Sequence, residues 1–411
     1  MPPAVAARLF AAFAAGYFLS YLLRSANAVI APTLQREVGL GPADLGFMTG
    51  GFFAAYAVSQ FPVGLALDRF GPRVVAGGLM TLGALGCAVF ALGSDLATLT
   101  LGRVLLGVGL GSVLLAGLKA FSLWWPPQRF ATVSGVFFAT GSLGALAAAT
   151  PLALLEAALG WRAAFWLFAL AVLAVTAVVL SATPRGGGRS ARSDAPRETA
   201  DAALGADLAR LMLFGAAFTG PVLAFQTLWA GPLLFDVFGY DTIRTGNLLL
   251  LLSLGVTLGY AASGALADRF GLTRVSATAL LAFALLQLLL AALVPWTLPL
   301  LLALFGFAGG HCILALSNAR ARVGALRSGR ATGAVNAASI AGVFALQWAI
   351  GVVVGRTPDD PAAGFRWALI ATGLVSLVAW AAYLPLARRL RGERPAQGPQ
   401  ANEATASDSS P

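Results

Sequence analysis

The sequence predicts an all-α membrane protein with twelve transmembrane helices in two pseudo-symmetric six-helix bundles. Three observations carry that prediction. Hydrophobic residues fill 58% of the 411 positions and charged residues 11%, with a mean hydropathy of +0.82, outside the range of soluble domains. Apolar runs of about 20 residues, enough to cross a bilayer core of about 30 Å, recur along the whole chain. Finally, Asp68-Arg69-Phe70-Gly71 returns 200 positions later as Asp268-Arg269-Phe270-Gly271. Each copy closes an apolar run, and each follows a glycine at the same spacing, Gly64 or Gly264.

In the first half the runs fall at 8–31, 45–66, 74–93, 97–121, 131–155 and 163–181. In the second they fall at 208–233, 244–266, 274–294, 297–319, 331–355 and 365–386, and short charged or Pro/Gly-bearing breaks separate most of them. The first run is too long for a secretory signal and lacks a small-residue cleavage site, so it reads as a spanning helix. Residues 182–207, with Gly186-Gly187-Gly188 among alternating Arg, Asp and Glu, read as a polar linker, and 391–411 as a disordered polar tail. The expected units are therefore an N-terminal bundle (1–181), a cytoplasmic linker (182–207), a C-terminal bundle (208–390) and a cytoplasmic tail. Two further matches support duplication: Ala131-Thr132 returns as Ala331-Thr332, and Arg162 and Arg366 stand alike before the sixth and twelfth runs.

A net charge of +10 would suit a nucleic-acid partner, but its placement excludes one. With the N-terminus in the cytoplasm, 20 of the 27 basic residues fall on that side, 5 on the other, and Arg24 and Arg103 within helices. That asymmetry is the positive-inside rule, and it predicts both termini in the cytoplasm. Cys87 and Cys312 both lie in apolar runs, so neither a disulfide frame, a metal site nor a cofactor is suggested. Abundant Ala, Gly and Arg with a single lysine point to a GC-rich bacterial genome and hence to a multi-pass protein of the bacterial inner membrane.

Here the residues carry a family resemblance. Gly64-Leu-Ala-Leu-Asp68-Arg69-Phe-Gly71-Pro-Arg73 resembles the loop 2–3 motif of the major facilitator superfamily, and Gly264 to Arg274 is similar to its second-half counterpart. Leu272-Thr273 is inserted before Arg274, which matches less well than Arg73. Arg103-x-x-x-Gly107-x-Gly109-x-Gly111 is similar to that superfamily's second motif. The resemblance covers the whole chain and implies the major facilitator fold, a monomer in membrane lipid, and secondary transport through a site between the halves. Tyr56-x-x-x-Gln60-x-Pro62, Trp125-Pro126-Pro127-Gln128-Arg129 and Gly160-Trp161-Arg162 resemble anion-handling branches more loosely.

Charges inside a bilayer are costly and are functional candidates by default. Arg24 stands 16 residues after Arg8, about 24 Å along a helix, so it either faces an aqueous cavity or snorkels to the outer interface. Tyr17, Ser20, Tyr21, Arg24 and Asn27 share one stripe of the first helix, which favours the cavity. Expected substrate-binding residues are Arg24, Tyr21, Asn27, Tyr56, Gln60, Gln226, Trp229, Asn336 and His311. Each also has the commoner reading of a polar group bonded between helices, and for His311 that reading leads over proton coupling. Lys119 reads as a snorkelling end residue. Expected gating residues are Asp68, Arg69, Gly71, Arg73, Arg103, Asp268, Arg269 and Gly271. Asp68 is placed to bond a neighbouring helix start, Arg73 or Arg129, and so to latch the halves together.

No Asp or Glu stands at mid-membrane depth, so Arg24 has no evident acidic partner and a small anion is the expected solute. No G-x-x-x-x-G-K-[ST] stretch occurs, which argues against direct ATP drive. One histidine without buried carboxylates is a poor basis for an enzyme. Export of amphipathic drugs or metabolites is the alternative, and a non-transporting sensor is a weaker one.

Overall fold

The computed structural model describes residues 2–184, 202–323 and 328–392. Most of the linker and tail read from the sequence lies outside the described residues. Helix α1 (Pro3–Ser25) continues after one turn residue, Ala26, as Asn27–Val38. Pro42–Leu92 bends at Gly71 and makes two spans, α2 (42–70) and α3 (72–92). Then come α4 (Leu96–Trp124), α5 (Pro127–Ala147, prolonged by 150–159) and, after a bend at Gly160, α6 (161–182).

In the second half, α7 runs from Ala202 to Ala224 and on through two π-helical turns, Phe225–Trp229 and Leu233–Val237. Next are α8 (Thr242–Phe270), α9 (Leu272–Leu290) and α10, which comprises Leu298–Gly310, a 3-10 turn at His311–Ile313, and Leu314–Val323. The described chain ends with α11 (Ser328–Gly355) and α12 (Pro361–Gly392). Ten helical segments are long and apolar enough to span a membrane, and the shorter Val133–Ala147 joins them. Because one of the ten is bent into α2 and α3, the described residues hold twelve spans.

The duplication is written in the backbone. Gly71 has φ 77° and Gly271 has φ 90°, a conformation open essentially to glycine alone. Each ends the second helix of its half and starts the third. The α2–α4 contact is repeated in the same way. Gly107 of α4 lies against the Phe52 carbonyl, and Gly306 of α10 against the carbonyl of Leu252, the residue 200 positions after Phe52. Small residues allow this backbone contact, a principal source of helix association in lipid. Helices α3, α6, α9 and α12 leave Leu85, Leu170, Leu289 and Val378 more than half exposed on the outside of the bundle.

Helix α7 begins six residues earlier than the sequence suggests. Asp207, 1% exposed, holds the extra turn: Arg210 Nη1 and Arg322 Nε donate to it at 2.9 and 2.8 Å, and Arg389 lies at 3.6 Å. A buried carboxylate needs such partners, and linking α7, α10 and α12 supplies them.

At the other end of the molecule, Glu37 accepts hydrogen bonds from Trp161 Nε1 at 2.9 Å and from Arg162. The Trp161 bond first, and then Arg162, hold the Glu37 carboxyl below its ordinary value against the opposing effect of burial. A lowered carboxylate value stabilises the fold above the ordinary range of about 4.3, and that contribution fades as pH falls through the lowered value. The pair is half exposed, so the effect is small. Glu37→Gln is expected to melt about a degree or two below wild type at pH 7, a gap that narrows as pH falls through the lowered value, read by thermal scans.

Candidate functional site

A cavity of about 440 Å³ lies between the two halves, walled by α1, α2, α4, α5, α7, α8, α10 and α11. Among the described residues, none from helices α3, α6, α9 and α12 lines it. The helix-period stripe of α1 explains the first part of this wall. Tyr17, Tyr21 and Arg24 are spaced by four and three residues, fall on one face, and all point into the cavity. Tyr17 stacks on Phe137 at 4.6 Å and meets Tyr21 edge-on at 5.0 Å.

Arg24 is 7% exposed, and its Nε has no hydrogen-bond partner. Its guanidinium carbon lies 4.3 Å from the centre of the Tyr21 ring and 5.4 Å from that of Tyr56, with Phe52 and Phe53 at 5.7 and 5.9 Å. These are cation–π distances. Snorkelling is excluded by length, since the helical path from Arg24 to Val38 adds about 21 Å beyond Arg24. Tyr56 fits because Gly111 of α4 leaves room for its ring. Arg103, fully buried, donates to the carbonyls of Leu23 at 2.7 Å and Arg24 at 3.3 Å, so it fixes the backbone that carries Arg24.

The facing wall belongs mainly to the second half and is rich in hydroxyls, from Thr219, Thr257, Tyr260 and Ser339, beside the Asn336 carboxamide and with Cys312 near Thr219 and Tyr260. Of the residues singled out from the sequence as binding candidates, Arg24, Tyr21, Tyr56 and Asn336 meet in this cavity. The other five lie elsewhere. Asn27 Nδ2 donates to Thr49 at 2.7 Å, and Gln60 Nε2 to the Tyr56 carbonyl at 3.2 Å. Gln226 Nε2 donates to Ser253 at 3.3 Å and Trp229 Nε1 to the Gln347 carbonyl at 3.0 Å. His311 Nδ1 lies 2.9 Å from the Phe307 carbonyl. All five make the bonds between or within helices that polar groups in lipid commonly make.

The cavity is sealed at one end. Gly231 of α7 packs on the Ala28 carbonyl that follows α1, Gly46 of α2 on the Gln347 carbonyl of α11, and Gly351 on the Pro42 carbonyl. Thr150 donates to Asn247 at 2.8 Å, joining the end of α5 to α8. At the end carrying the repeated motifs, the ion pairs among the described residues stay within one half. Lys119 Nζ of α4 bonds Asp68 Oδ1 of α2 at 2.8 Å, where the sequence had suggested Arg73 or Arg129 for Asp68. Arg73 donates instead to the Thr183 carbonyl at 3.4 Å. Arg69 and Arg269 each lie over the following Phe ring, at 5.1 and 5.3 Å. Lys119 takes the place of Arg73 because α4 ends beside α2, the Arg129 side chain lies outside the described residues, and among the described residues no ion pair latches the two halves at this end. On α2 the stripe below the seal, Val58, Phe61 and Leu65, is bare.

The family model for the Major Facilitator Superfamily matches residues 13–259. Over 149 residues the chain is 29% identical to the "Probable sulfoacetate transporter SauU" of Cupriavidus necator, covering 36% of this chain and 35% of that protein. Over 150 residues it is 31% identical to the "Galacturonate transporter" of Dickeya chrysanthemi, covering 36% and 44%. The matched segments thus span less than half the length of these curated relatives. Among solved structures, a bacterial homologue of the human lysosomal transporter Spinster, inward-facing and unoccupied, superposes with a TM-score of 0.77. It covers 97% of this chain and all of the other at 18% identity, a likeness of fold.

Proposed function

Because the chain belongs to the major facilitator superfamily of transporters, we propose that it moves a small organic anion across a membrane by alternating access. One observation carries this reading: Arg24 stands in the wall of the cavity between the halves, buried, with an unpartnered Nε and no carboxylate beside it among the described residues. A guanidinium offers two parallel donors to a carboxylate or sulfonate, and the hydroxyl-bearing wall opposite can bond the rest of a polar solute. Relatives named for sulfoacetate and galacturonate, both anions, support the same class. The distribution of basic residues supports placing the motif end in the cytoplasm of a bacterial inner membrane. The conformation described is then open to the inside, with Asp68, Arg69 and Arg73 at the mouth.

Binding is tested by thermal scans of the purified protein against galacturonate, sulfoacetate and neutral galactose. A ligand at a hundredfold excess over its Kd adds about 2.7 kcal/mol to the folded state, a rise of several degrees. Either anion is expected to give that rise and galactose none. A rise with amphipathic drugs, and none with the anions, would replace this reading with drug export.

A further inference from the structure

The cavity contains a charge that its walls do not balance. Arg24 is bordered by the rings of Tyr21, Tyr56, Phe52 and Phe53. Behind it, Arg103 spends two N–H groups on main-chain carbonyls, and its own Nε is unpartnered. The ion pairs among the described residues lie at the two ends of the molecule: Glu37–Arg162 at one, Asp68–Lys119 and the Asp207 cluster at the other. Among the described residues, no Asp or Glu lines the cavity.

While one end is open, water can reach Arg24. To present the site to the other side, the carrier passes through a state in which both ends are shut. Empty, that state encloses a cation against aromatic rings, with hydroxyls but no carboxylate among the described residues opposite, which is unfavourable. With a monoanion on Arg24 the enclosed pair is neutral, and the passage becomes easier.

We propose that the protein is an anion exchanger: the loaded carrier reorients readily in both directions, whereas the empty carrier returns slowly. One anion then enters as another leaves, and the exchange partner is a second molecule of the same chemical class. This rests on the anion reading above.

The test uses the wild-type protein in liposomes. Potassium and valinomycin on both sides hold the membrane potential at zero, so that net flux is not arrested by charge. Uptake of labelled galacturonate, a monoanion, is compared between vesicles preloaded with unlabelled galacturonate and vesicles holding galactose. Preloading is expected to raise the initial rate by at least about tenfold, the least that a slow empty step imposes. Equal rates with both loadings would overturn the exchange inference and leave anion transport standing. So would uptake into galactose vesicles that a proton gradient raises to the exchange rate, since that is symport. Absence of uptake under every loading, together with no thermal shift, would overturn the anion reading and the exchange inference with it.

Discussion

Replacing Arg24 with glutamine is expected to cut anion uptake by at least about thirtyfold while leaving the fold intact. Truncating one partner of a buried, hydrogen-bonded charge pair costs about 2–5 kcal/mol of binding, and each 1.4 kcal/mol is about tenfold. The loss should appear in binding first, as disappearance of the anion-induced rise in melting temperature. Loss of folding is the usual confounder, and here it is separable. In the unliganded protein Arg24 is a buried cation with an unpartnered Nε, so its removal relieves a cost instead of creating one. The glutamine variant should therefore melt at or above the wild-type temperature without ligand. Arg24→Lys keeps the charge but loses the planar fork, and falls between the two. Transport that persists unchanged in Arg24→Gln would sink the proposed role.

Much of this was legible in the sequence because lipid imposes simple rules. Helix number follows from apolar length, and the bend at Gly71 and Gly271 from a repeated glycine that sterics demand. Arg24 was legible because regular helix geometry carries Tyr17, Tyr21 and Arg24 onto one face. The same stripe misled at Asn27. The helix is interrupted at Ala26, between Arg24 and Asn27, and Asn27 turns to Thr49 of α2. Gln226 and Trp229 were misplaced for a related reason. They sit in a π-helical turn, which shifts the helical register in a way no 3.6-residue pattern anticipates. The hydroxyls of the second wall carry weak signals. Thr257 and Ser339 each donate to the carbonyl four residues back, as Ser and Thr do in many membrane helices that line nothing. Only the assembly of eight helices distinguishes them.

Substituting Gly231 with valine is expected to drive the carrier out of the conformation described and to reduce transport more than tenfold. A Cβ at Gly231 would overlap the Ala28 carbonyl, and its close neighbours there are backbone atoms, so no side chain can rotate away. Overpacking costs about 1–3 kcal/mol, and near the upper end it shifts a two-state ratio by roughly a hundredfold. Because the clash lies between the halves, it penalises the sealed state and spares the packing inside each bundle. Melting temperature should therefore change little. The native thiols report the shift. Cys312 lines the cavity, whereas Cys87 is fully buried in α3. A membrane-impermeant maleimide should reach Cys312 of the wild type from the motif side, and Cys312 of Gly231→Val from the opposite side. Gly78→Val on α3, where a Cβ meets open space, should behave as wild type. If Gly231→Val labels and transports like wild type, the contact with Ala28 does not form the seal. The seal would then rest on the α2–α11 contacts and on the Thr150–Asn247 bond between α5 and α8.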